Sequence, residues 1–553
     1  MSKLLIDEIF ADRKYDMVMF DEVSMAYVFQ VLAASGFAKK RFVCVGDFMQ
    51  LAPIAQSPAR EVLSEDIFSY LGISKGEQIY YHPWLVLLDE QRRMYPDISE
   101  FSNRYVYHRL LKDHPCVIDN NIDTVNDSPF SGNAINLINL MGCYCAADKN
   151  EQNSRFNILS ALITFASAYK TVNSRKVSII TPYSAQTRLI RAMLSDLKAH
   201  DEKVDIKCAT VHQFQGSESD VIYFDAVESY PGKKPGWLMD KNLNSIKRLI
   251  NVALTRAKGK LITVANKKFW DDNYKDKANN HTFYKLLNFI EKYGNVVSHK
   301  NDSSLENHIR LLNIDKFMDF YLDNTYSEKL TYDIIQAKKE IIVSFPRTKK
   351  DENVPKSLMN LLEQKQLYGV SVSLKCDDVV FPLIIIDNKV VWYGAPFDDW
   401  TFERGNLIYK TVCPIACRIK GDYTVEMIKS LTSIEFKKCR NLYSGLEEKS
   451  NSLIDDESDG KELSGLAGYI NENLKCAECG SPLALAIGKS KKPYLKCSSC
   501  GEREYLTPEE VNKYIRLHNV TCPIHHMEIR CGLSRYGLFV KCRNEHYLKV
   551  EEI

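Results

Sequence analysis

Residues 16–24, Asp-Met-Val-Met-Phe-Asp-Glu-Val-Ser, set a short apolar run directly before two adjacent carboxylates, Asp21 and Glu22. Such a run between polar neighbours predicts a buried strand, and open parallel sheets carry their ligand-binding residues just beyond the carboxyl ends of strands. A carboxylate pair there suits nucleotide hydrolysis: one holds Mg2+, the other orients or deprotonates the attacking water. Taken alone, the pair is weak evidence, because acidic pairs after strands are common. The neighbouring sequence narrows the choice. A second apolar run, Arg41-Phe-Val-Cys-Val-Gly-Asp47, follows, and residues 27–39 between the two can form a helix. Further on, 177–181 reads as a strand, 185–197 as an amphipathic helix, and 221–224 and 261–264 as strands. Strands alternating with helices over this length specify an α/β architecture of parallel sheets flanked by helices.

Five more blocks follow Asp21 and Glu22 in order. They are Gly46-Asp-Phe-Met-Gln-Leu-Ala-Pro-Ile54, Leu88-Asp-Glu-Gln-Arg-Arg-Met-Tyr-Pro-Asp-Ile-Ser99, Thr181-Pro-Tyr-Ser-Ala-Gln186, Thr210-Val-His-Gln-Phe-Gln-Gly-Ser-Glu-Ser-Asp220 and Asn251-Val-Ala-Leu-Thr-Arg-Ala-Lys258. This succession, within about residues 1–270, resembles the motor of superfamily 1 helicases, in the branch of the nonsense-mediated-decay helicase and its DNA-replication relatives. The resemblance implies two RecA-like lobes, with ATP and Mg2+ bound between them and single-stranded DNA or RNA across them. It makes Asp21 the Mg2+ ligand, Glu22 the catalytic base and Gln50 the residue that couples phosphate state to strand grip. Arg93 and Arg256 match the arginines that the second lobe presents to the nucleotide, where a planar, permanently charged guanidinium suits the charge of phosphoryl transfer. Gly216 and Glu218 match a nucleotide-side loop, and Thr181, Thr210 and His212 match positions near the strand backbone. The two threonines read equally as strand-end caps. Arg92 stands where many relatives have an adenine-stacking tyrosine, a role that a guanidinium can also take. Tyr95 replaces a common histidine.

A phosphate-binding loop, G-x-x-x-x-G-K-[ST], should stand well before the Mg2+ carboxylates. Twenty residues precede Asp21 and none is glycine, while Gly488-Lys489-Ser490 lacks the earlier glycine and lies between cysteine pairs. The first lobe is therefore expected to be incomplete. Its start is truncated or misassigned, its motor is split with a partner chain carrying the loop, or the motor has decayed. Retention of Asp21, Glu22, Gln50, Arg93 and Arg256 favours the first two.

After a polar segment at 298–307, expected to be a linker, residues 308–444 resemble a phospholipase D-like fold through Asp333-Ile-Ile-Gln-Ala-Lys-Lys-Glu-Ile-Ile-Val-Ser-Phe-Pro346 and Leu383-Ile-Ile-Ile-Asp-Asn-Lys-Val-Val-Trp-Tyr-Gly394. That family uses H-x-K-x-x-x-x-D. Aligned on Asp387, the histidine position is Val380 and the lysine position Pro382, so the unit is expected to be inactive and used for docking, dimerisation or nucleic-acid contact. Ala395 and Phe397 also replace the small polar residues usual there. An acidic, Ser-rich stretch at 445–460 has little to bury and reads as a second linker.

Seven of the 16 cysteines fall after residue 475. Cys476-x2-Cys479 with Cys497-x2-Cys500 has the spacing of a four-cysteine zinc ribbon. Cys522 and His525 with Cys542 and His546 make a second, Cys2His2 set, with Cys531 and His526 as alternates. Zn2+ then stabilises mini-domains too small for a core. Arg535-Tyr-Gly-Leu-Phe-Val-Lys541 resembles the basic, aromatic hairpin of topoisomerase-type ribbons, which suits single strands.

The expected domains are 1–84 (remainder of the first RecA-like lobe), 85–290 (second lobe), 308–444 (phospholipase D-like), 445–465 (linker), 466–510 (four-cysteine ribbon) and 511–553 (Cys/His ribbon). At 45% hydrophobic and 26% charged the 553 residues describe a globular protein, and no signal-peptide core or membrane span is read. A cytoplasmic protein follows as the expectation. The net charge of +2 decides nothing about nucleic acid. Two readings stand: an ATP-driven helicase component whose phosphate loop comes from upstream or from a partner, and a helicase-derived scaffold that binds without turnover.

Overall fold

The computed structural model describes residues 13–53, 63, 65–73, 82–172, 175–199, 204–240, 243–275, 281–300, 303–346, 356–375, 379–395, 401–404, 407–437, 439–440, 465–476, 479–487, 493–497, 499–500, 503–504, 506–534, 537–544, 546–548 and 550. They divide into two compact units, 1–447 and 448–553. Among the described residues no helix is long and apolar enough to cross a membrane.

The first unit opens with β1 (Tyr15–Phe20), α1 (Val28–Ser35) and β2 (Ala38–Cys44), the strand-helix-strand order read from the sequence. β1 and β2 pair in parallel over a small core that includes Val23, Val31, Phe48 and Phe68. Among the described residues no other strand pairs with β1. Met17 and Met19 on it remain 53% and 60% exposed, whereas strands of parallel sheets are ordinarily covered on both faces.

A larger sheet follows, built from β3 (Ile135–Asn139), β4 (Val177–Thr181), β5 (Ile206–Thr210), β6 (Ser219–Asp225), β7 (Ala257–Ala265) and β8 (Asn295–Ser298). Its order is β8-β3-β7-β6-β4-β5, and every neighbouring pair is parallel. Helices α2 (Pro96–Tyr105), α3 (Ile158–Thr171), α4 (Ser184–Lys198), α5 (Leu243–Leu254) and α6 (Thr282–Tyr293) accompany it. β3 and β4 are buried along their whole length, including the polar residues Asn136, Asn139, Ser178 and Thr181. This is the parallel-sheet core expected of a RecA-like lobe.

The segment expected to be a polar linker is structured. Ser304–Arg310 forms α7 with Leu305, His308 and Ile309 buried, and His308 Nε2 hydrogen-bonds the Ser167 hydroxyl of α3 at 3.0 Å. Two apolar residues one helical turn apart are enough to anchor the helix, although too few to show a period.

The chain then builds a mixed sheet from β9 (Met318–Tyr321), β10 (Glu340–Ser344), β11 (Ser371–Lys375), β12 (Leu383–Ile386), β13 (Val390–Tyr393), β14 (Ala416–Lys420) and β15 (Cys439–Arg440). The order is β9-β14-β13-β12-β10-β11-β15, and only β10 and β11 pair in parallel. Helices α8 (Tyr326–Gln336), α9 (Lys356–Leu367) and α10 (Asp422–Thr432) complete it. This sheet shares one continuous apolar core with the parallel one. Polar contacts fix the junction. Asp196 of α4 accepts from the Tyr423 and Thr424 N–H groups at 3.1 and 2.7 Å, capping α10. Tyr393 Oη donates to the Tyr144 carbonyl at 2.6 Å, and Tyr144 Oη to that of Val380 at 2.8 Å.

The second unit repeats one plan twice. α11 (Gly465–Asn473) precedes β16 (Leu483–Ile487), β17 (Pro493–Cys497) and β18 (Arg503–Glu504); α12 (Pro508–Leu517) precedes β19 (Ile529–Ser534), β20 (Gly537–Cys542) and β21 (Tyr547–Leu548). Each triplet is antiparallel, and both share one small core. Thr507 and Glu510 form a reciprocal capping box at the start of α12, so the second repeat begins slightly before residue 511. Residues 445–460, the triplet 488–490, Phe397 and the hairpin tip Arg535-Tyr536 lie outside the described residues.

Candidate functional site

Asp21 and Glu22 follow β1 directly, as the sequence predicts. Asp21 is exposed and its Oδ1 accepts the Glu22 N–H at 2.8 Å. Glu22 adopts φ 53 and ψ 37, a left-handed conformation costly to an L-residue with a Cβ. The turn holds it through the Val23 N–H, which donates to the Val45 carbonyl at 3.0 Å. Gly46 lies against this turn, and a Cβ there would stand 3.1 Å from Val23 Cγ1 and 3.2 Å from its nitrogen. A side chain at residue 46 would push the two strand-end loops apart by a few tenths of an ångström. Strain at a carboxylate beyond a strand is the kind that accompanies functional sites.

The loop after β2 brings Asp47 and Gln50 to the same end, where they meet residues of the larger sheet. Arg256 Nη2 donates to Gln50 Oε1 at 3.1 Å. Gln215 Nε2 donates to both Glu22 Oε2 and Gln50 Oε1, at 3.3 and 3.4 Å. Asn251 Nδ2 donates to the Met49 carbonyl at 3.1 Å and to Tyr107 Oη at 2.7 Å, and Tyr107 donates to Asp47 Oδ2 at 2.5 Å. Gln215 Oε1 and Asn251 Oδ1 are buried without a hydrogen-bond partner, an arrangement that asks for a further polar ligand or water.

Charge at this junction is skewed. Arg93 Nε pairs with Glu218 Oε2 at 2.7 Å, and its Nη1 donates to the Thr255 carbonyl at 3.1 Å. Lys258 holds the other Glu218 oxygen at 3.0 Å. Burial pushes the Glu218 carboxyl up, but Lys258 and Arg93 outweigh it and leave it below the usual range. Burial, reinforced by the neighbouring Arg93 guanidinium, pushes Arg256 down, against the pull of Glu22, Tyr107 and Asp47. A buried guanidinium with no carboxylate in salt-bridge contact among the described residues suits an incoming anion.

The remaining predicted residues divide. Gly216 takes φ +77, and a Cβ there would meet nothing within 4 Å. Arg92 is exposed and paired with Glu90 at 2.8 Å. Thr181 and Thr210 end β4 and β5 as direct neighbours in the sheet. Thr181 is fully buried, whereas Thr210 and His212 are half-buried. Burial lowers the His212 pKa, favouring its neutral form. Asp47, Tyr107, Gln215, Asn251 and Lys258 were not singled out in the sequence, although four lie in quoted blocks. Only Tyr107 stands outside them.

The positions aligned with phospholipase D-type catalysis serve the fold. The Asp387 carboxylate accepts the N–H groups of Lys338, Lys339 and Glu340 at 2.8, 2.7 and 3.0 Å. Burial raises its pKa, yet those donors dominate and hold it below the usual range. Asp387→Asn is expected to lower the stability of this sheet by about 1–2 kcal/mol, because an amide offers fewer acceptor sites and the group is part-exposed. Thermal melts of the two forms check it.

In the second unit the sulfurs of Cys476, Cys479, Cys497 and Cys500 all lie within 4.8 Å of one another. Sγ separations of 3.4, 3.5 and 3.6 Å approach the ~3.8 Å edge of a tetrahedron with Zn–S bonds of about 2.3 Å. Cys522 Sγ lies 3.6 Å from His525 Nδ1 and 3.2 Å from His546 Nδ1, and Cys542 Sγ lies 3.4 Å from His525 Nδ1. The four cysteines have the spacing of a tetrahedral donor set, while in the second repeat the ligand atoms of Cys522, His525 and His546 all lie within 4.8 Å of one another and Cys542 approaches His525 at hydrogen-bond distance. The repeats explain the choice among alternates: the Cys476 N–H donates to the Ser481 carbonyl and Gly480 to Cys476, as Cys522 does to Met527 and His526 to Cys522. His526, at φ 50, therefore occupies the left-handed turn position of Gly480, at φ 72. Cys531 hydrogen-bonds the Gly532 carbonyl instead.

Residues 76–268 match the AAA domain family. The chain is 26% identical over 267 residues to Helicase sen1 of Schizosaccharomyces pombe, covering 46% of this chain and 14% of that protein. It is 31% identical over 269 residues to an uncharacterized ATP-dependent helicase of Methanocaldococcus jannaschii, covering 47% and 37%. It is 27% identical over 263 residues to Regulator of nonsense transcripts 1 homolog of Drosophila melanogaster, covering 46% and 21%. The chain thus spans well under two thirds of the length of these relatives. The segment from residue 76 to residue 268, which contributes Gln215, Asn251 and Arg256 to the junction with the loops beyond β1 and β2, is accordingly similar to AAA domains and to stretches of these relatives.

Proposed function

We propose that this chain is the strand-moving, nucleotide-hydrolysing part of an ATP-dependent nucleic-acid helicase. ATP sits where Glu22 and Gln50 face Arg256, and that juxtaposition across two sheets carries the reading. Glu22 takes the proton of the attacking water, Gln50 contacts the terminal phosphate, and Arg93 and Arg256 neutralise charge on the transferred phosphoryl group. Asp21, exposed and engaged only by a backbone N–H among the contacts described here, would hold Mg2+, which supplies Lewis-acid stabilisation of the phosphate oxygens. Arg92, Gly216 and Glu218 line the nucleotide side; Thr210 and His212 lie toward a single strand of DNA or RNA.

The phosphate loop comes from preceding sequence or from a partner chain. Among the described residues β1 pairs with β2 alone and Met17 and Met19 on it are exposed, which supports this, because further strands with their connecting helices would cover that apolar surface. The mixed sheet is a phospholipase D-like unit used for docking, and the second unit is a pair of zinc ribbons.

Strand-stimulated ATP hydrolysis, measured with the loop-bearing segment supplied, tests the proposal. Glu22→Gln is expected to lower kcat about 10²- to 10⁴-fold with little change in nucleotide affinity. Hydrolysis unaffected by Glu22→Gln, or absent with every loop-bearing segment, would leave the scaffold reading in its place.

A further inference from the structure

Three side chains able to bind a metal converge where the parallel sheet meets the mixed one, and a cysteine, Cys143, contacts one of them. Cys143 follows β3, His299 follows β8, Glu306 stands on α7, and Cys413 precedes β14. The ligand atoms of His299, Glu306 and Cys413 all lie within 4.8 Å of one another, and the Cys143 thiol interacts with that of Cys413. Both cysteines are buried, at 7% and 2% exposure. The backbone fixes their approach: the Val412 and Cys413 N–H groups donate to the Gly142 carbonyl at 2.8 and 3.0 Å. Gly142 takes φ +91, and a Cβ there would stand 2.8 Å from Val412 Cγ2, so the close contact depends on glycine.

A plain ion pair explains only part of this cluster. His299 Nδ1 pairs with Glu306 Oε1, but Glu306 Oε2 is buried with no hydrogen-bond partner. A buried carboxylate oxygen left unsatisfied is costly, and two thiols beside it offer no strong donor. A cation would satisfy that oxygen and the sulfurs together.

We propose that Cys143, His299, Glu306 and Cys413 form a divalent-metal site. Two sulfurs, one imidazole nitrogen and one carboxylate oxygen select zinc rather than magnesium or calcium, which take oxygen ligands. On binding, the two thiols release their protons to solvent as S–Zn bonds form, and the direct His299–Glu306 contact gives way to two bonds to the ion. Four protein ligands close the coordination sphere, so the site is structural. Its ion ties the strand ends of the helicase-like lobe to the segment entering β14. The sequence hides the site because its donors come from separated segments, and two of them, His299 and Glu306, lie inside the stretch that reads as a linker.

The test counts zinc per chain by elemental mass spectrometry in the full chain purified under reducing conditions. Cys413→Ser and Glu306→Gln are each expected to hold one ion fewer than the parent, while the ions of the second unit stay. The comparison is a difference, so it does not depend on how many ions that unit holds. Glu306→Gln preserves side-chain volume and keeps the result readable even where the cysteine variant fails to fold. A zinc count unchanged by Glu306→Gln, or a Cys143–Cys413 disulfide in the reduced preparation, overturns the assignment.

Discussion

Arg256→Ala lowers strand-stimulated ATP hydrolysis about 10³- to 10⁵-fold, the range attached to an arginine that stabilises phosphoryl transfer. The expectation comes from what Arg256 touches. Its Nε reaches the Val252 carbonyl at 3.3 Å and its Nη1 that of Ser217 at 3.5 Å, both long contacts, while Nη2 meets Gln50 across the junction at 3.1 Å. Little of the fold rests on such bonds, so the melting temperature should move by only a few degrees. Arg256→Lys should restore little activity, because an ammonium cannot span two phosphate oxygens in the plane of a guanidinium. Turnover and nucleotide affinity measured separately decide the case. A loss of activity that merely tracks loss of folded protein would move Arg256 from chemistry to structure.

Asp333→Ala destabilises the mixed sheet by about 3–5 kcal/mol, the cost of stripping one partner from a buried ion pair. Asp333 Oδ2 accepts Arg418 Nε at 2.6 Å and Trp392 Nε1 at 3.0 Å, and Oδ1 accepts Arg418 Nη2 at 2.9 Å. The Asp333 and Arg418 side chains are only 6% and 4% exposed. Removing the carboxylate leaves a buried guanidinium facing Asp319 alone, at 3.8 Å, and an indole N–H without its acceptor. Urea unfolding followed by tryptophan fluorescence should show the shift, with Asp333→Asn falling between. Equal midpoints for all three forms would mean that water enters and solvates Arg418.

The sequence was most informative where burial is continuous. The strand at 177–181 has the ends predicted for it, because apolar runs in covered sheets stop where the chain turns into solvent. Cysteine spacing likewise indicated the paired knuckles of the second unit, since a tight turn needs its ligands two residues apart. It gave no sign of α11 and α12, which lie outside that spacing. Asp47, Gln215 and Asn251 stood within recognised blocks without a stated role, and Tyr107 outside them. Their importance arises only when residues more than a hundred positions apart meet, as Gln215 does Gln50 and Asn251 does Tyr107. The reading of 298–307 as a linker failed for the same reason: Leu305 and Ile309 find their burial in tertiary contacts that no local pattern records.

In the proposed cycle, the bridge from Arg256 and Gln215 to Gln50 is an internal competitor for phosphate. While Gln50 occupies the guanidinium, an entering nucleotide must displace a neutral amide before it gains the same donor. A bridged form outnumbering the open one by about ten to one weakens apparent nucleotide affinity about tenfold. The same bridge re-forms as phosphate departs, so it hastens release as much as it resists entry. Weakening it by Gln215→Ala therefore tightens binding and slows product escape together, and tunes the length of the cycle through two opposing steps.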